Sequence, residues 1–121
     1  QNPAQMKTEL EERTKKFAVR VVKAVGGFSK TSEGQIIGRQ LLKSGTSIGA
    51  NYREANRAES RYDFIHKVGI AEKEAAETIY WLEICLETRI GAVEEIKTLN
   101  QEAGELLAIL ITIGRKTKKL K

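Results

Sequence analysis

Apolar residues recur along the chain at spacings of three and four, in four stretches separated by short polar or glycine-containing breaks. That period is the signature of an amphipathic helix with one buried face. The first stretch opens at "TELE", where Thr8 and Glu11 have the spacing of a capping box. Its inward line is Leu10, Thr14, Phe17, Val21, Ala24 and Val25, and it closes at Gly26-Gly27. After the loop "GFSKTS", Ser32 with Gln35 signals a second start, and a helix runs to about Ala55 through Ile37, Leu41, Ile48 and Tyr52. Ser60 with Asp63 starts the third, whose expected inward line is Ile65, Val68, Glu72, Ala75, Ile79, Leu82 and Leu86, with Gly91 ending it. The fourth carries Ile96, Leu99, Ala103, Leu106, Leu110 and Ile113 before a basic tail. Long amphipathic helices joined by short connections become antiparallel neighbours. The expected fold is therefore all-α, an antiparallel up-down-up-down four-helix bundle formed by residues 1–121 as a single domain.

One stretch resists this reading. "SGTSIGANYREA", Ser44 to Ala55, places glycines, serines, a threonine and an asparagine inside a helix, where their propensities are poor. At about 100° per residue, Gln40, Ser44, Ser47, Asn51 and Glu54 form a polar line beside the apolar one. Two explanations stand. Gly38, Gly45 and Gly49 remove bulk for a crowded helix crossing, or Ser47 and Asn51 donate hydrogen bonds to Glu72, a carboxylate in a core-like slot of the third helix that needs donors.

Composition adds bounds. With 121 residues, 40% of them hydrophobic and 31% charged, the chain has the make-up of one globular domain. A single cysteine, Cys85, excludes an internal disulfide and a multi-cysteine zinc site, and a reducing cytoplasm is the expected location. No stretch has the roughly 18 consecutive apolar residues of a membrane span. Residues 1–7 pack nothing obvious and read as a frayed end or a tag remnant.

The net charge of +5 is unevenly spread. Residues 1–60 carry eleven Lys and Arg against six Glu, residues 61–114 carry five against ten acids, and the tail 115–121 adds five more cations. Asymmetry of this kind points to an anionic partner, RNA or DNA. The candidate contacts are Arg13, Lys16, Arg20 and Lys23, read as one continuous stripe on the first helix, with Arg39, Arg53 and Arg57 on the second. The competing reading is an oligomeric scaffold that docks a protein. Ile70, Trp81 and Cys85 fall within about 60° of one another, away from Ile65, and make a second apolar face on the third helix that a homo-oligomer would cover.

Catalytic signals are sparse. His66, the only histidine, falls on a polar flank, and Cys85 sits among apolar neighbours as a packed thiol. The run "EKEAAE" lacks the histidine spacing of a di-metal bundle site, and "GFSKTSEG" lacks the Gly-Lys-Ser/Thr ending of a phosphate loop. No catalytic residue, metal or cofactor is expected.

The run "GRQLLKSGTSIGANYREANRAESRYDFIHKVGIAEKEAAETIYWLEI" resembles the four-helix-bundle family encoded by intervening sequences in 23S ribosomal RNA genes, sometimes labelled ribosomal protein. The resemblance rests on Ser44-x-x-Ser47-Ile48-x-x-Asn51-x-x-Glu54 followed by Asp63-Phe64, Lys67, Lys73-Glu74 and Tyr80-Trp81-Leu82, and covers roughly Arg13 to Leu86. It implies a homo-oligomer, a pentamer, with a link to RNA. A family similar in fold, the accessory proteins of diversity-generating retroelements, implies nucleic acid and reverse transcriptase as partners. Neither implies catalytic residues.

Overall fold

A computed structural model describes residues 2–120 as four helices, α1 (Pro3–Gly26), α2 (Ser32–Asn56), α3 (Arg61–Thr88) and α4 (Val93–Lys119). Each helix packs on its chain neighbours, α4 returns to α1, and the diagonal pairs α1–α3 and α2–α4 make no close backbone approach among the described residues. This is the up-down-up-down bundle that the periodicity predicts.

The helix starts follow local chemistry, with two corrections. α1 begins at Pro3, well before Thr8. Asn2 Oδ1 accepts from the Gln5 amide at 2.9 Å while Gln5 Oε1 accepts from the Asn2 amide at 3.0 Å, a complete capping box with proline at the first helical position. Thr8 is interior, its hydroxyl donating to Ala4 O. Residues 2–7 therefore belong to the helix or its cap rather than to a frayed end; Gln1 lies outside the described residues. α2 is capped by Thr31, one residue before the expected Ser32, its Oγ1 accepting from the Gly34 amide at 3.1 Å. Ser60 caps α3 as expected, accepting from the Asp63 amide at 3.0 Å. Past Thr88 the chain turns through Arg89 (φ 58°) and Gly91 (φ 87°), two left-handed residues of which only the glycine is free of a Cβ penalty. The basic tail continues α4, placing Lys116, Lys118 and Lys119 in its last turn, where cations complement the helix dipole. Lys121 lies outside the described residues.

The core is built on the expected lines of α1 and α4. Leu10, Thr14, Phe17 and Val21 face Leu41, Ile48, Tyr52, Leu82, Ile96, Leu99, Leu106 and Leu110 in one buried cluster. Each large side chain removed from water contributes about 1.5–3 kcal/mol. Thr14 keeps its hydroxyl satisfied inside this cluster by donating to Leu10 O (2.9 Å) and Glu11 O (3.0 Å).

The α1–α2 crossing explains the glycines. A Cβ at Gly45 would lie 3.0 Å from Val21 Cγ1 and Cγ2, one at Gly49 2.8 Å from Thr14 Oγ1, and one at Gly38 3.0 Å from Val25 Cγ1. α2 thus presents a bare backbone ridge to the side chains of α1.

On α3 the buried line is Val68, Ala71, Ala75, Thr78, Leu82 and Cys85, turned by about 50° from the expected one. Ile65, Glu72, Ile79 and Leu86 are half-buried on its flank. The small residues Ala71, Ala75 and Thr78 occupy the deepest positions, because α3 packs on both α2 and α4.

Candidate nucleic-acid interface

The expected stripe on α1 spans about 80° of the helix surface, and its members meet different partners. Counting about 100° per residue from Glu12, Lys16 and Lys23 lie within roughly 40° of it, whereas Arg13 and Arg20 lie some 80–100° round the helix. Glu12 Oε2 accepts from Arg53 Nη2 of α2 at 3.2 Å. Arg13 instead reaches α4, its Nε and Nη2 each 2.7 Å from the two Glu102 oxygens, with Nη2 also 2.7 Å from Glu105 Oε1. These bonds, that to Glu102 foremost, raise the Arg13 pKa, while Gln101 and then Arg13 hold the Glu105 carboxyl below its ordinary range. Arg20 Nε lies 3.7 Å from Glu95 Oε1, again on α4.

Of the seven predicted phosphate contacts, Arg13, Arg20 and Arg53 are therefore engaged by carboxylates of the same chain. Lys16, Lys23, Arg39 and Arg57 are exposed and carry no ion pair among the described residues. Arg39 and Arg57 each lie about 40° from Arg53 round α2, on the side away from the glycines that meet α1. The four free cations thus lie on the outward faces of the neighbouring helices α1 and α2. A second basic area, with Arg115, Lys116, Lys118 and Lys119, ends α4.

The polar line of α2 does not form the expected network. Ser47 Oγ donates to Lys43 O at 2.6 Å, Asn51 Nδ2 donates to Ser47 O at 2.8 Å, and buried Ser44 makes a long 3.4 Å bond to Leu41 O, all within α2. Glu54 accepts from Lys67 Nζ of α3 at 3.0 Å, and Gln40 is half-buried with no hydrogen bond among the described residues. Glu72 turns toward α4, where its Oε2 would lie 2.9 Å from a Cβ at Gly114, so the absence of a side chain there is what admits the carboxylate. Helical serines and asparagines that bond their own backbone need no partner across the interface.

The outward apolar face of α3 is also redrawn. Cys85 belongs to the core at 1% exposure, and burial pushes its thiol up to about 11. Ile70 and Trp81 remain half-buried. Trp81 Nε1 donates to Glu77 Oε2 at 3.2 Å and meets the exposed Tyr80 ring edge-on, with centroids 5.0 Å apart. Nearby Glu74 is raised above the usual carboxylate range by burial and then by Glu77.

A feature missed in the sequence is an apolar cleft of about 720 Å³ where α1 begins and α4 ends, lined by Met6, Leu10, Tyr52, Phe64, Ile109 and Ile113 among others. Its only trace in the pattern is a pair of apolar steps, Met6–Leu10 and Ile109–Ile113, at i, i+4. Tyr52, on its floor, is pushed above the tyrosine range by burial. Among the described residues no group of His, Cys, Asp and Glu has a metal-binding arrangement, and no helix is long and apolar enough to cross a membrane.

No curated protein matches the chain. A crystal structure of a protein of unknown function from the S23 ribosomal protein family of Bacteroides thetaiotaomicron is similar to it, with 41% sequence identity, a TM-score of 0.80, and 86% of this chain and 96% of the other covered. The profile of the 23S rRNA-intervening sequence proteins matches residues 6–112, nearly the whole bundle. With that span and that structural likeness, the chain belongs to the 23S rRNA-intervening sequence protein family.

Proposed function

We propose that this bundle is a non-enzymatic cytoplasmic homo-oligomer, a pentamer as the family resemblance implies, that holds the backbone of RNA or DNA. The observation that carries the reading is the set of four exposed, unpaired cations, Lys16, Lys23, Arg39 and Arg57, on the outward faces of the neighbouring helices α1 and α2, in a chain whose other cations are partly consumed by internal ion pairs. Phosphates need free Lys and Arg, and a site made of these alone reads charge rather than base sequence. Repeating the four cations in a symmetric oligomer multiplies them into a belt, so that weak single contacts add by avidity. Half-buried Ile70 and Trp81, beside exposed Tyr80, supply apolar area for the subunit contact.

Size-exclusion chromatography with light scattering, on the protein alone and mixed with a structured RNA or a DNA duplex at about 50 mM salt, tests both parts. The expected result is a mass of five 13.5 kDa chains and co-elution with either nucleic acid. A 13.5 kDa peak would refute the oligomer, and nucleic acid eluting unbound would refute the interface and leave a protein-docking scaffold as the account.

A further inference from the structure

The fourth side of the bundle is unevenly closed. α1 and α4 are the least closely packed of the neighbouring pairs. The ion pairs between them, from Arg13 to Glu102 and Glu105 and from Arg20 to Glu95, all lie at Arg13 or further along α1. Toward the start of α1 the cleft opens between the two helices, over Pro3 to Arg13 on one lip and Ala108 to Lys116 on the other. Tyr52 of α2 and Phe64 of α3 form its floor, so the interior of the bundle is reached through the gap. Met6 on the rim is 55% exposed although it is apolar.

We infer that this cleft receives an amphipathic α-helix with an acidic flank from a partner protein. The lips are two antiparallel helices that run side by side over nine residues of α4 and eleven of α1, a rise of about 12–15 Å, which matches two to three turns of a third helix laid between them. Backbone chemistry selects a helix over an extended peptide. Beyond the first turn of α1 the lips have their N–H and C=O groups bonded within their own helices, so an extended segment would find few backbone partners there, whereas a helix arrives with its own satisfied. The apolar lining takes anchors at i, i+3, i+4 and i+7, and it gives phosphates no counter-charge at its floor.

Charge sets the sign of the flank. Lys7 and Lys116 stand on opposite lips, and Lys119 continues the α4 side, while the Arg13 guanidinium at the closed end is already matched by two carboxylates. This site is separate from the four free cations of α1 and α2 and does not depend on nucleic-acid binding.

The test uses the full chain and a synthetic peptide of about fourteen residues, with leucines at i, i+3, i+4 and i+7 and glutamates elsewhere. A matched peptide with lysines in place of the glutamates is the control. Fluorescence anisotropy should show saturable binding of the acidic peptide tighter than about 100 μM, and binding of the basic one weaker by about tenfold or more. Amide shifts in NMR spectra should gather at Met6, Leu10, Phe64, Ile109 and Ile113. Ile113→Glu should abolish binding; should that variant fail to fold, Lys116→Glu, an exposed change, should still weaken it by about tenfold. Absent or equal binding of the two peptides, or shifts gathered elsewhere, would overturn the inference. So would displacement of the peptide by RNA or DNA from the same residues, which would assign the cleft to nucleic acid. Self-association lost in Ile113→Glu would assign it to a second copy of the chain and overturn it equally.

Discussion

Replacing Gly49 by leucine should destabilise the bundle by about 3 kcal/mol, lowering its thermal midpoint by roughly 10 °C. The Cβ alone would come within 2.8 Å of Thr14 Oγ1, 3.0 Å of Thr14 Cβ and 3.4 Å of the Thr14 carbonyl carbon. Thr14 cannot step aside. It is β-branched, fully buried, and held by two hydrogen bonds to the preceding turn, so the strain passes to the α1–α2 spacing. Helix propensity runs the other way, favouring alanine over glycine by about 1 kcal/mol, and this gives an internal control. A methyl group at Gly104 would meet nothing within 4 Å, so Gly104→Ala should gain about 0.5–1 kcal/mol from the same propensity. Urea unfolding of the two variants beside the natural chain checks the pair. Equal midpoints for Gly49→Leu and the natural chain would show that the crossing is not crowded.

The second large effect is on binding. Reversing Lys16 and Lys23 together, to Glu, should lower affinity for RNA and DNA by about a hundredfold at 50 mM salt while leaving stability within about 0.5 kcal/mol, because both side chains are exposed and unpaired. Reversing Arg13 should behave in the opposite way. Its guanidinium sits between Glu102 and Glu105, so Arg13→Glu would bring a third carboxylate among them and weaken the α1–α4 seam. Filter binding together with urea unfolding separates the two patterns. A stability loss without a binding loss in Lys16→Glu/Lys23→Glu would show that this flank supports the fold instead.

The lines of α1 and α4 are legible in the sequence because large apolar residues recur at helical spacing; Leu10, Phe17 and Val21, and Ile96, Leu99, Leu106 and Leu110, are buried, while Ala24, Val25 and Ile113 at the ends of the lines are half-buried. The α3 line differs by about 50° because Ala71 and Thr78, which are fully buried, carry little hydrophobic signal, while the bulkier Ile65 and Ile79 on the flank carry more. The same rotation moves Cys85 into the core and Glu72 out to the flank. The glycines of α2 announce a close approach, but not which helix approaches. The capping box at Asn2 and Gln5 has its trace in the pattern Asn-Pro-x-Gln, yet the small and polar residues around it hold no apolar line to mark a helix. The pairing within the basic stripe is hidden from the sequence for another reason. Ion pairs such as Arg13–Glu102 join residues 89 positions apart, and their existence depends on the register of α1 against α4, which no local pattern encodes.

The central claim, that the free cations of α1 and α2 hold a nucleic-acid backbone, is tested most directly by affinity as a function of salt. Binding of one duplex DNA and one structured RNA, measured between about 50 and 200 mM salt, should give a linear fall of log affinity with log salt. For each subunit engaged, the slope should reflect up to about four phosphate contacts, with little difference between sequences of equal length, and Lys16→Glu/Lys23→Glu should flatten it by about two. A slope near zero, or one that the double variant leaves unchanged, would contradict the account.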